Sequence, residues 1–116
     1  MEDRLRQYLS RIEASAENAV RYAAGMTHGE FLADEKTQQA VAMNLLLIGE
    51  AVASIVERFP EFVGSHAEIR WSAMRGLRNR IAHDYFGLDF QVLWRTVQLE
   101  LPLVMDKLRA ITGDSQ

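Results

Sequence analysis

The stretch RNRIAHDYFG, residues 78 to 87, holds the side chains best suited to chemistry. His83 can take up or release a proton near neutral pH. Arg78 carries a planar fork of donors that matches two oxygens of a phosphate. Asn79 follows the arginine directly, and Tyr85 lies two residues beyond the histidine. Arg70, Arg75 and Arg80 crowd the same region, so the window Ile69 to His83 holds four arginines and no acid. Removing that +4 from a net charge of −3 leaves −7 elsewhere, so the positive field is local.

Each of these residues also has a plainer role. His83 near a helix C-terminus could simply cap carbonyls. Arg78 could be an ion-pair partner for Glu50 or Glu57. The excess of arginine over lysine, 11 to 2, suits phosphate binding, but codon usage would produce it too. An R-x4-H pair is a weak signal by itself. His28 and His66 are expected in exposed loops, and Asn44 as a satisfied core amide. On pattern alone Tyr85 and Phe86 are core or interface aromatics at a helix-loop corner. A carboxylate metal site is disfavoured, because Asp84 and Asp89 lack companion ligands; no metal and no cofactor are expected.

Helices must position this segment. Leu5, Tyr8, Ile12, Ala16, Ala19 and Ala23 recur at steps of three and four, predicting a first amphipathic helix that fails near Gly25. Asp34 is placed to cap a second, with Val41, Leu45, Ile48, Val52, Ile55 and Phe59 as its stripe and Pro60 as its stop. From Ala40 to Ile48 only Asn44 interrupts the apolar run, which predicts burial against more than one neighbour or a second subunit. Glu61 to Glu68 reads as a loop, and Arg70 to about His83 as the third helix. Asp89 caps a fourth, with Phe90, Leu93, Val97, Leu101, Val104, Leu108 and Ile111 facing inward and Pro102 expected to kink it. The fold class is all-α: an antiparallel bundle of four main helices, with room for an extra short one.

On the third helix Met74, Leu77 and Ile81 share one side, with Arg78 close to it. Arg75, Asn79 and His83 form an adjoining polar strip, and Arg80 points away as a solvated charge. If the helix frays after Ala82, His83 can swing back toward Arg78, so that both face one cleft.

Composition sets bounds on all of this. A chain of 116 residues, 48% hydrophobic and 25% charged, is expected to form a single globular domain over residues 1–116. There are no cysteines for disulfides or thiolate metal sites. The opening MEDRLRQYLSRIEA has no signal-peptide character, and the run AVAMNLLLIG is short of a membrane span. A cytoplasmic protein with no membrane association is the expectation.

The string R-N-x-x-x-H-x-Y, together with LLLIGEAV and IRWSAMRGLRNRIAHDYFGLD, resembles the HEPN superfamily, specifically HepT-like toxins of the HEPN/MNT type. The resemblance spans most of the chain. It implies a metal-independent endoribonuclease, active as a homodimer, in a type VII-like toxin–antitoxin module. The partner it implies is a cognate minimal nucleotidyltransferase antitoxin. By the motif, Arg78 and His83 are catalytic and Asn79 supports them, while Tyr85 accepts AMP from the antitoxin. Arg70 and Arg75 would bind RNA phosphate.

The residue types suit that reaction. Attack of a 2′-hydroxyl on the adjacent phosphate needs a proton removed, a dianionic phosphorane stabilised and the leaving 5′-oxygen protonated, without an obligatory metal. One histidine per chain is too few for both transfers, and two-fold pairing would supply a second. The alternative is a non-catalytic HEPN module that docks a nucleotidyltransferase through the same basic surface.

Overall fold

The computed structural model describes residues 1–113, and among them every regular element is helical. Helix α1 (Asp3–Ala23) buries the stripe its spacing predicts, from Leu5 through Ile12 and Ala16 to Ala23. It ends ahead of Gly25, whose φ of +79° is a left-handed conformation that suits glycine.

Helix α3 (Glu35–Arg58) starts where expected, the Asp34 carboxylate accepting the Thr37 N–H at 3.0 Å. That bond holds the Asp34 carboxyl below its ordinary pKa. Between α1 and α3 lies a short helix absent from the periodicity analysis, α2 (His28–Leu32). Five residues are too few to show a stripe. Its cause is local: Thr27 and Glu30 form a reciprocal capping box, and buried Gln38 donates to the carbonyls of Phe31 and Leu32, both at 3.0 Å.

The expected loop Glu61 to Glu68 instead contains helix α4 (Pro60–Ser65). Pro60 ends α3 and also begins α4, its fixed φ being suited to a first helical position. His66, expected in a loop, closes α4, half-buried with its ring 4.5 Å from that of Phe62. His28, also expected in a loop, opens α2 and stacks on Trp94 at 5.7 Å. Helix α5 (Trp71–His83) follows, then a tight turn at Tyr85–Gly87 and α6 (Phe90–Arg95), capped by Asp89.

The kink expected at Pro102 takes a specific form. Between α6 and α7 (Leu101–Thr112) the chain makes one widened turn, Thr96–Glu100, in which the Leu101 N–H reaches back to the Thr96 carbonyl. Proline has no N–H to continue the regular ladder, and the extra residue in the turn accommodates its ring.

Helix α3 is the centre of the packing, with α1 on one side and α5 on another; α7 packs on α1. The apolar run in α3 is thus shared between neighbours, as its composition predicts. Asn44 is satisfied, donating to the Ala40 carbonyl at 2.9 Å and accepting from Asn18 at 3.4 Å. As a whole α3 is longer and more apolar than its ten-residue run suggests, enough by length and composition to cross a membrane; half of its apolar window is buried inside the protein, as in a core helix. The molecule measures 42 × 34 × 20 Å, about two helices thick in its thin direction. Because α5 rests on α3 and α7 on α1, α5 and α7 do not pack closely against each other, and a groove opens between them.

Candidate functional site

Helix α5 displays the candidate residues, and a glycine on α3 decides how. At Gly49, buried in the α3–α5 contact, an added Cβ would lie 2.6 Å from Arg78 Cγ and 3.2 Å from the Met74 carbonyl. Only glycine lets the backbones approach this far. The approach brings Arg78 across α3 to Glu50, with its Nε donating to Glu50 Oε1 at 2.6 Å. The other fork of the guanidinium donates to Asn79 Oδ1 at 2.7 Å. Of the two acids considered, Glu50 and not Glu57 takes the arginine. Arg78 is therefore oriented, with about a third of its side chain still exposed.

His83 is the last residue of α5. The helix does not fray after Ala82: it runs through His83, and the Asp84 N–H bonds the Arg80 carbonyl at 3.0 Å. The expected swing of the histidine back toward Arg78 therefore does not occur. Five residues of helix separate the two side chains by about 140° of rotation, and no interaction joins them among the described residues. Arg78 faces α3, whereas His83 lines a groove of about 330 Å³ with Leu77, Arg80, Leu88 and Asp89.

Arg75, Asn79 and His83 are all exposed on α5, as the polar strip requires. Arg70 precedes the helix and pairs with Glu100 at 3.1 Å, which neutralises part of the positive field. Arg80 is exposed, as expected, but does not simply point to solvent: it lines both the His83 groove and the larger groove toward α7. Among the described residues Arg75, Arg80 and His83 have no ion pair or hydrogen bond through their side chains.

Tyr85 follows the plainer of its two readings, an aromatic packed at a helix-loop corner. Its turn is held by Asp84, whose carboxylate and carbonyl both accept the Gly87 N–H, at 3.1 and 3.2 Å. The ring packs edge-on against Phe90, with centroids 5.8 Å apart, and against Phe86 at 5.6 Å. Its hydroxyl is buried without a hydrogen-bond partner. Burial, with the negative charge of Glu35, pushes the phenol pKa up. A loop position thus does not present this oxygen outward in this conformation. Phe86 is the exposed aromatic of the turn, 94% accessible.

Sequence reasoning missed two contributors: Gly49 as the contact point and Arg80 as a groove residue. Only Gly49 left a signal, since a glycine inside an apolar helical run costs about 1 kcal/mol unless something needs the space. Asp84 and Asp89 serve as caps, and among the described residues no group of three or more His, Cys, Asp or Glu side chains is placed to hold a metal.

Comparison with known proteins places these features in a family. Residues 12–111 match the family described as Ribonuclease HepT-like. A protein of Methanocaldococcus jannaschii named as a "putative RNase" is 32% identical over 110 residues, which cover 95% of this chain and 88% of that one. The "probable ribonuclease HepT" of Thermococcus cleftensis is 35% identical over 91% of this chain and 94% of its own. A "putative RNase" of Caldanaerobacter subterraneus is 28% identical over 91% and 92%. No solved structure matches the chain at comparable significance.

Proposed function

The chain belongs to the HepT-like ribonuclease family, and from that membership we propose that it is an endoribonuclease that cleaves RNA without a metal, as a homodimer. The observation that carries this reading is that the family match spans RNRIAHDY, with Arg78 oriented by Glu50 and His83 displayed at the end of the same helix. The 2′-oxygen attacks phosphorus as one neutral His83 accepts its proton. The bond to the 5′-oxygen breaks as the protonated His83 of a second copy supplies a proton. Arg78 meets the charge on the non-bridging oxygens. The products end in a 2′,3′-cyclic phosphate and a 5′-hydroxyl.

The separation of Arg78 and His83 within one chain supports the dimer, because a lone copy does not gather the groups the reaction needs. Exposed apolar residues support it too: Met43 and Leu47, 55% and 46% accessible, stand one turn apart on α3, close in sequence to Glu50. The same separation is what a non-catalytic nucleotidyltransferase-binding module would show. Incubating the purified protein and His83→Ala with RNA in a chelator decides between them: cleavage lost with His83 supports the enzyme, and no cleavage by either favours the module.

We further propose type VII-like control. A minimal nucleotidyltransferase would transfer AMP from ATP to the Tyr85 oxygen, releasing pyrophosphate, with the phenolic proton passing to a base of that partner. The added phosphodiester would obstruct the site and compete for Arg78. Because the Tyr85 hydroxyl is buried, the turn Tyr85–Gly87 must open first. Mass analysis after incubation with the partner and ATP tests this.

A further inference from the structure

The larger groove runs between α5 and α7, with a volume of about 510 Å³. It continues into the groove of about 330 Å³ that holds His83, and Leu77, Arg80 and Val92 line both. Along α5 the combined channel extends from Arg70 to His83, roughly 20 Å at the rise of an α-helix. Its floor is apolar, formed by residues such as Met74, Leu77, Leu101 and Val104.

The charges on its walls are unbalanced. The larger groove has Arg70, Arg80 and Lys107 against Glu100 alone, a net +2 on a chain whose net charge is −3. Glu100 is taken by Arg70. Lys107 donates to the Glu68 carbonyl at 2.9 Å, and the nearby Glu68 carboxylate offsets part of its charge. Arg80, at the junction of the two grooves, has no partner among the described residues. Beyond His83 the sign changes: Asp84 and Asp89 line the far end, each with one carboxylate oxygen on a backbone N–H. The positive stretch therefore stops at the histidine.

We propose that single-stranded RNA lies in this channel, with its bases on the apolar floor and its phosphates on Arg80 and Lys107, and that the channel leads the strand to His83. An anionic chain with flat apolar bases fits a floor of this kind between positive walls, whereas a duplex offers only its phosphates and 2′-hydroxyls. Arg80 is then a substrate-positioning residue distinct from Arg78, which Glu50 orients for the reacting phosphate. This inference rests on the ribonuclease reading and extends it.

Binding is measured by fluorescence anisotropy with a short 2′-O-methyl oligouridylate, which cannot be cleaved by internal attack. Arg80→Glu and Lys107→Glu should each weaken binding by about tenfold or more. Each should also reduce the slope of log affinity against log salt by about 0.7, the value for one single-strand phosphate contact. Arg80→Lys should bind close to wild type, and Leu103→Asp, at an exposed position of the groove, should weaken the single strand. Wild-type affinity in both charge reversals, or equal affinity for a duplex, overturns the proposal. So does a Leu103→Asp variant that changes sedimentation while binding RNA normally, since the groove then belongs to a protein partner. Cleavage of unmodified RNA separates the two readings. If wild type and Arg80→Glu cut equally, the channel falls and the ribonuclease stands; if wild type binds through Arg80 but cuts nothing, the channel stands and the ribonuclease falls.

Discussion

Gly49 and Arg78 meet where α3 and α5 approach most closely, and the absence of a side chain on one lets the other reach Glu50. The contact is structural and positional at once. Replacing Gly49 by alanine must push the two helices apart, because the obstacles are the first carbons of Arg78 and a backbone carbonyl. Overpacking of this kind costs about 1–3 kcal/mol. Gly49→Ala should therefore lower the unfolding midpoint and reduce RNA cleavage. Gly64→Ala, with nothing within 4 Å of its added carbon, should do neither. Parallel thermal melts and cleavage assays check this.

Much of the frame was legible in the sequence, and for physical reasons. The long helices carry apolar stripes over many turns, and Asp34, Gly25, Pro60 and Asp89 punctuate them through backbone chemistry that does not depend on tertiary context. The short helices α2 and α4 were not, because six residues or fewer show no period and their stability comes from Thr27, Gln38 and Pro60. The candidate residues were legible as types but not as neighbours. Spacing could not say that α5 stays helical through His83, nor that α7 stands off from α5 and leaves Arg80 over a groove.

The carboxylate that holds Arg78 should matter more to turnover than to stability. The pair is partly exposed, with Glu50 about half accessible, so losing it should cost no more than about 1 kcal/mol. Glu50→Gln should keep the fold while letting the guanidinium wander. Cleavage should fall, chiefly in kcat, while Arg78→Ala and His83→Ala each lose about 10²-fold or more. If Glu50→Gln cuts like wild type, orientation by Glu50 is not needed.

Assembly can be tested on the exposed face of α3. Met43 and Leu47 are accessible in one copy, and a charge there should be tolerated by a monomer but not at an interface. Leu47→Glu should retain helical content by circular dichroism, sediment as a monomer at micromolar concentration and lose cleavage. A variant that stays dimeric and active would move the interface elsewhere, with Phe86 the next residue to change.

The buried hydroxyl of Tyr85 makes a prediction about stability as well as control. An unpaired buried hydroxyl costs free energy that its removal recovers, so Tyr85→Phe should be as stable as wild type or more so, by about 1 kcal/mol. The pH dependence has a definite sign. Burial and Glu35 raise the phenol's folded-state pKa, so the neutral form is the one the fold prefers. That contribution is fully present below the ordinary phenol range, about pH 10, and is lost as pH rises through the folded value. Wild type should therefore destabilise more steeply than Tyr85→Phe above about pH 10. The same burial bears on the proposed modification, since an adenylylating partner would reach the oxygen only once the turn Tyr85–Gly87 had opened. Gly87→Ala should favour opening, because the added carbon would crowd the Asp84 carboxylate that caps the turn, whose Cγ would be 2.9 Å away. Adenylylation of Gly87→Ala at Tyr85 should accordingly run faster than that of wild type at equal enzyme and ATP. Equal rates would mean that turn opening does not limit access to the tyrosine, and modification of Tyr85→Phe to the wild-type extent would place the acceptor on another residue.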